Sequence, residues 1–310
     1  MPAKLWTPGQ TVGVAANYTR SFETAPSSAV KLGGQFYSHW NEDAQHIGQV
    51  TGQGTAGGAA IMAHLSPSTE AETNRLMAMQ LVHGTSDEQL GHIARSAGHA
   101  AKAKSAVGRR TAAIKAGDME AAAQHDIVAQ KHTRLSGVSR ERAGLAGTPL
   151  SRQTSANIMN ATGVMRGEHG GDPLATLGSV KIRDFGGLIH DPEGYSRAPI
   201  DTHYHDAGLN RTDIPYETSR GLSSVGRYEH FQQAHSLARD EVPDVSHGSF
   251  MGAIWYHHQM RKAVENPGSL KSRKATETGL ANYQSNSRLA HFMPAALGLR
   301  PSLGKIPTGR

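Results

Sequence analysis

The chain has 310 residues, a formal charge of +6 and no cysteine. That length suits one large domain or two modest ones, and the cysteine count excludes a disulfide framework, a thiolate metal site and an iron–sulfur cluster. Hydrophobic residues make up 37 % and glycines number 35, so a core diluted by loops and small residues is expected. No run approaches the roughly 18 apolar residues of a membrane span, and MPAKLWTPGQ at the N-terminus has no apolar signal-peptide core. These readings predict a cytoplasmic protein with no membrane partner. A pI of about 9.5 points to an anionic partner.

Taken in chain order, the pattern is helical almost throughout, with no set of alternating strands. Residues 55–65, TAGGAAIMAHL, are nearly continuously apolar, as a buried helix is. Ser66 and Pro67 are read as the cap and first position of the next helix, which carries Leu76, Met77, Met79 and Leu81 and closes at Gly84. Further helices are expected over 86–104 and 118–135, the second opening at Asp118 with Glu120 in its first turn. From Ala101 to Gln153 ten Lys and Arg face four acids, which fits either a phosphate-tracking arm or a solvated helical insertion.

Beyond residue 153, QTSANIMNATGVMRGE reads as an amphipathic helix with Ile158, Thr162 and Met165 at helical spacing. Asp172-Pro173 caps a short helix, Val180–His190 gives another, and the turn DPEGYSRAP leads into Asp201. Residues 249–264 place Met251, Ile254, Trp255 and His258 on one helical stripe, read as core. The tail from Asn266 is expected to be extended.

The segment PIDTHYHDAGLNR, 199–211, concentrates the chemistry. Alone, DTHYHD resembles the opening motif of amidohydrolase and TatD-like metal-dependent hydrolases, in which His203 and His205 would bind divalent metal from a strand. Those barrels need about 200 residues, whereas 109 helical-looking residues follow Asp201. On a helix, His203 and His205 would face different ways.

Five blocks in order, IMAHLSPSTEAETN, SANIMNATGVMRGE, LGSVKIRDFGGLI, APIDTHYHDAGLNR and MGAIWYHHQMR, resemble the helix-hairpin-helix DNA glycosylase superfamily, endonuclease III-like branch. The Leu65-Ser66 dipeptide, Asn74 and Asp201-Thr202-His203 match that family's motifs, and Leu209-Asn210-Arg211 continues the last one. The chain is also similar to uncharacterised glycosylase-like proteins of actinobacterial phages. The resemblance implies an all-α, two-lobed fold with a helical insertion at 101–152. Residues 55–150 would form one lobe and 151–265 the hairpin-bearing lobe, with the N-terminal segment 1–54 packing on the latter and 266–310 trailing.

It also implies a DNA partner, no cofactor, and Asp201 as the carboxylate for cleaving an N-glycosidic bond at a modified or damaged base. A buried carboxylate at a helix N-terminus suits that task, since it can oppose an oxocarbenium-like charge. The hairpin turn, Leu177-Gly178-Ser179-Val180-Lys181, departs from the family's Leu-Pro-Gly-Val-Gly. Gly178, Ser179, Lys181, Arg183 and Arg211 are the candidate phosphate contacts. Lys181 also lies near, but not on, the position of the lyase lysine. Tyr204 and His203, with Tyr195 and His190 nearby, are candidates for the base pocket. The alternatives are a non-catalytic DNA-binding protein on the same fold and, third, the metallohydrolase.

Overall fold

The computed structural model describes residues 7–67, 69, 71–214 and 221–265; the expectation for the tail from Asn266 lies outside them. The described residues are helical, with no strand among them, so the all-α expectation is met. No described helix is long and apolar enough to cross a membrane.

In chain order the elements are α1 (Pro8–Glu23), α2 (Ser27–Thr51), α3 (Gly54–His64), α4 (Ala71–Gly84), α5 (Asp87–Ala116) and α6 (Met119–Arg142). The short 3-10 turn η1 (Pro149–Arg152), α7 (Ser155–Met165) and a second 3-10 turn, η2 (Leu174–Thr176), come next. Then follow α8 (Val180–His190), α9 (Thr202–Gly208), α10 (Val225–Asp240) and α11 (His247–Glu265). They group into two compact units, one of residues 1–43 with 179–310 and one of residues 44–178, the first break falling inside α2. Residues 151–178, expected with the hairpin-bearing lobe, therefore group with the helices before them.

In the 44–178 unit α3 is buried on all sides from Gly57 to His64, which its nearly unbroken apolar sequence requires. Ser66 does not open the next helix. Its hydroxyl donates back to the Ala63 carbonyl at 2.8 Å, closing α3, and α4 begins only at Ala71. The motif failed because a serine hydroxyl can satisfy a carbonyl behind it as well as an amide ahead. Asn74, buried on α4, donates to the Met62 carbonyl at 2.8 Å and ties the two helices.

Helices α5 and α6 pair as a long antiparallel hairpin. Gly117 turns it with φ 78°, the left-handed conformation that glycine adopts without strain, and Asp118 caps α6 by accepting from the Ala121 amide at 2.9 Å. Both helices outrun the expected 86–104 and 118–135. Beyond residue 100 their buried seam is Ala103, Ala106, Ala122 and Ala129, which packs closely but gives little hydrophobic contrast for periodicity to detect.

In the other unit α1 opens with a capping box between Thr7 and Gln10, with Pro8 in its first turn. The core gathers Tyr18, Tyr37, Trp40, Tyr204, Phe231 and Phe250. Helices α2 and α11 cross at Gly33 and Gly252, where a Cβ on Gly33 would run into the backbone of Gly252 and Ala253. Met251, Ile254 and His258 of the expected stripe are buried.

Candidate active site around Asp201

Residues Ala198, Pro199 and Ile200 are buried, and the Ile200 amide donates to the Tyr228 hydroxyl at 3.2 Å, so the strand-like entry to α9 is fixed to α10. Asp201 follows as the N-cap of α9, in extended conformation. Its Oδ1 accepts from the Tyr204 amide and its Oδ2 from the Trp255 indole nitrogen, each at 2.8 Å. One donor is local and the other comes from α11. An ionised carboxylate offers about four lone-pair sites, so these two bonds aim the group and leave part of its capacity unused. Asp201 is half-buried, which keeps that remainder reachable.

Three histidines surround this corner. His203 lies edge-on to Trp255, ring centroids 5.7 Å apart, and 6.0 Å from His258. His258 is 1 % exposed, and neither ring nitrogen has a hydrogen-bond partner among the described residues. Burial, with smaller contributions from His203 and Lys262, pushes its pKa down to about 3, so the ring is neutral at pH 7. Such an uncommitted buried imidazole costs stability of order 1–3 kcal/mol and did not stand out in the sequence, where it reads as part of an apolar stripe.

His205 is fully occupied. Arg227 Nη2 lies 2.9 Å from its Nε2 and Asp206 Oδ1 lies 2.9 Å from its Nδ1. Because arginine can only donate, the ring carries its proton on Nδ1 and donates it to Asp206. The metal alternative at His203 and His205 does not assemble: the two residues project differently from α9, and a guanidinium sits on one nitrogen. Among the described residues no group of three His, Asp or Glu is arranged to hold a metal.

Of the pocket candidates, Tyr204 is core. It is fully buried and stacked on Tyr18 with centroids 4.4 Å apart. Its hydroxyl shares a 2.7 Å hydrogen bond with His235, whose other nitrogen meets His247 at 2.9 Å. A base cannot stack on a face already covered. Tyr195 is committed as well, donating to Asp184 at 2.8 Å, and His190 is exposed at the end of α8. Only His203 remains beside Asp201.

Asp184 is the residue the sequence hid. It is 1 % exposed and accepts from Tyr195, Arg197, Tyr228 and Gln232 at 2.8–2.9 Å. Arg197 also forms a two-pronged pair with Glu229. No local signal marks it, because its partners lie 11 to 48 residues away.

At the start of α8, Ser179 accepts from the Ile182 amide at 3.3 Å, and Gly178, Ser179, Lys181 and Arg183 are exposed. Lys181 makes neither hydrogen bond nor ion pair with Asp201 in the described residues. Arg211 is gripped by Asp213 at 2.8 and 2.9 Å, so its charge is already partly neutralised.

Residues 2–118 match a family of unknown function (DUF7178). The match takes in α1 to α5, ends at the cap of α6, and leaves α8 to α11 with Asp201 outside it. Neither the curated proteins nor the solved structures contain a match to this chain.

Proposed function

We propose that the protein is a DNA-binding enzyme of the helix-hairpin-helix glycosylase type, acting on the N-glycosidic bond of a modified or damaged base, with Asp201 as its working carboxylate. The observation that carries this reading is the mounting of Asp201: half-buried, aimed by an amide and an indole, with lone pairs to spare. As the base departs, the sugar takes on oxocarbenium-like positive charge, which a fixed anion stabilises without having to reorient. The exposed start of α8, with Lys181 and Arg183, supplies phosphate contacts.

The second reading, DNA binding without chemistry, draws on the turn before α8. No residue from Asp172 to His190 adopts a left-handed conformation, so this turn does not form the glycine cradle by which a backbone closes on a phosphate.

The test is a salt titration of affinity for duplexes with and without an abasic-site analogue, followed by a screen for base release, comparing wild type with Asp201→Asn. The expected result is tighter binding to the abasic analogue, a steep salt slope, and base release lost in Asp201→Asn while binding is kept. Binding without release from any base supports the second reading. No binding at low salt overturns both.

A further inference from the structure

Short of its ends, which carry Asp87, Glu88, Glu120 and Glu141, the α5–α6 hairpin is strongly one-signed. Along residues 91–116 and 121–140 nine Lys and Arg face one acid, Asp126, and that acid is already taken by Gln130 at 2.7 Å and Arg110 at 3.4 Å. Arg95, Lys102 and Arg109 recur every seven residues on α5, a repeat that keeps them on one side of a helix, about 10 Å apart. All three are exposed. Among the described residues Arg95 and Arg109 bond to neutral groups of their own helix, His92 and Ser105, each at 2.9 Å.

Beside the middle of this row the hairpin adds two histidines. His99 and His132 share a 3.0 Å hydrogen bond between their Nδ1 atoms and stack with centroids 5.3 Å apart. The pKa of His132 is lowered, first by desolvation, then by His99, Lys102 and Lys131, so Lys102 lies close to the pair. Like charges held together with no acid between them cost free energy that an anionic partner would recover.

We propose that the row Arg95–Lys102–Arg109, with the His99–His132 pair, is a contact surface for the phosphate backbone of duplex DNA. It deepens the reading given above by naming a surface for its partner, and it rests on that reading. The row has the exposure, sign and regular spacing of a backbone contact. It offers no aromatic platform for bases, so it contacts DNA without regard to sequence.

The test compares two charge-matched double variants of the full chain. Lys102→Glu/Arg109→Glu reverses the row. Lys104→Glu/Lys115→Glu makes the same change in net charge on another side of α5, since residues two apart on a helix point about 200° from one another. Binding to duplex DNA is titrated against salt, and circular dichroism checks that each variant is folded. The row variant is expected to bind at least about tenfold more weakly at 0.1 M salt, with the slope of log affinity against log salt reduced by about 2. The control is expected to stay within about threefold of wild type.

Equal losses in the two variants would reduce the effect to net charge and overturn the assignment. No loss in either would overturn it while leaving the Asp201 reading standing. Tighter binding of duplex RNA of the same sequence, with the same variant pattern, would overturn DNA as the partner. Absence of wild-type binding at low salt would remove both proposals together.

Discussion

Asp184 and Asp201 are both carboxylates in the unit built from residues 1–43 and 179–310, and they are held in opposite ways. Asp184 is sealed from solvent and receives four hydrogen bonds, two from tyrosines, one from Gln232 and one from Arg197. Every lone pair is spoken for, and the group works as a knot joining α8, α10 and the segment before α9. Asp201 is half-buried and receives two bonds. The more deeply buried acid is therefore the structural one, and the incompletely satisfied one is the candidate for chemistry.

The largest effect should come from untying the knot. Asp184→Ala strands the hydroxyls of Tyr195 and Tyr228, the Gln232 amide and the Arg197 guanidinium around a void, and urea unfolding should record a loss of about 3–5 kcal/mol. If the loss is under about 1 kcal/mol, the contrast between the two carboxylates fails.

Acid should act next. The pKa of His235 and of His258 is pushed down to about 3 and that of His64 to about 4, in each case first by burial. A histidine depressed in the folded state binds its proton more readily when unfolded. The stability these residues contribute is thus fully present above about pH 6.5 and drains away as pH falls toward 4 and 3. Unfolding free energies measured from pH 7 to pH 4 should decline steadily. His258→Leu should flatten the decline, and at pH 7 should cost no more than about 1 kcal/mol, since it removes a buried polar group that has no partner in the described residues.

A smaller change is expected at Asp201. Asp201→Asn keeps a competent helix cap but turns an amide nitrogen toward one of two donors, so unfolding should show a loss of about 1 kcal/mol. Trp255→Phe removes the indole donor alone and should cost about the same. Should either variant destabilise as severely as Asp184→Ala, Asp201 is a structural acid too, and the case for its chemistry falls.

These residues also show what could be read from the sequence. Caps were legible because the partner of a capping side chain lies three residues away: Asp118 and Asp201 each receive the amide expected. Val180–His190 was legible to the residue from its helical pattern. Trp255 as the second partner of Asp201 was not, being 54 residues away, and neither was any partner of Asp184. The full reach of α5 and α6 was missed because alanine seams pack well yet look like alanine faces. Tyr204 shows the opposite case: nearness in sequence to Asp201 suggests a shared pocket, while one turn of helix sends its ring into the core.

The crossing of α2 and α11 at Gly33 and Gly252 carries a last consequence. The two backbones touch because each lacks a side chain there, and the same α11 carries the Trp255 indole that meets Asp201. Gly33 is in this sense a spacer of zero thickness. A single methyl at that position would jack α11 outward, lift the indole from the carboxylate, and detune the corner from a distance without altering any residue that forms it.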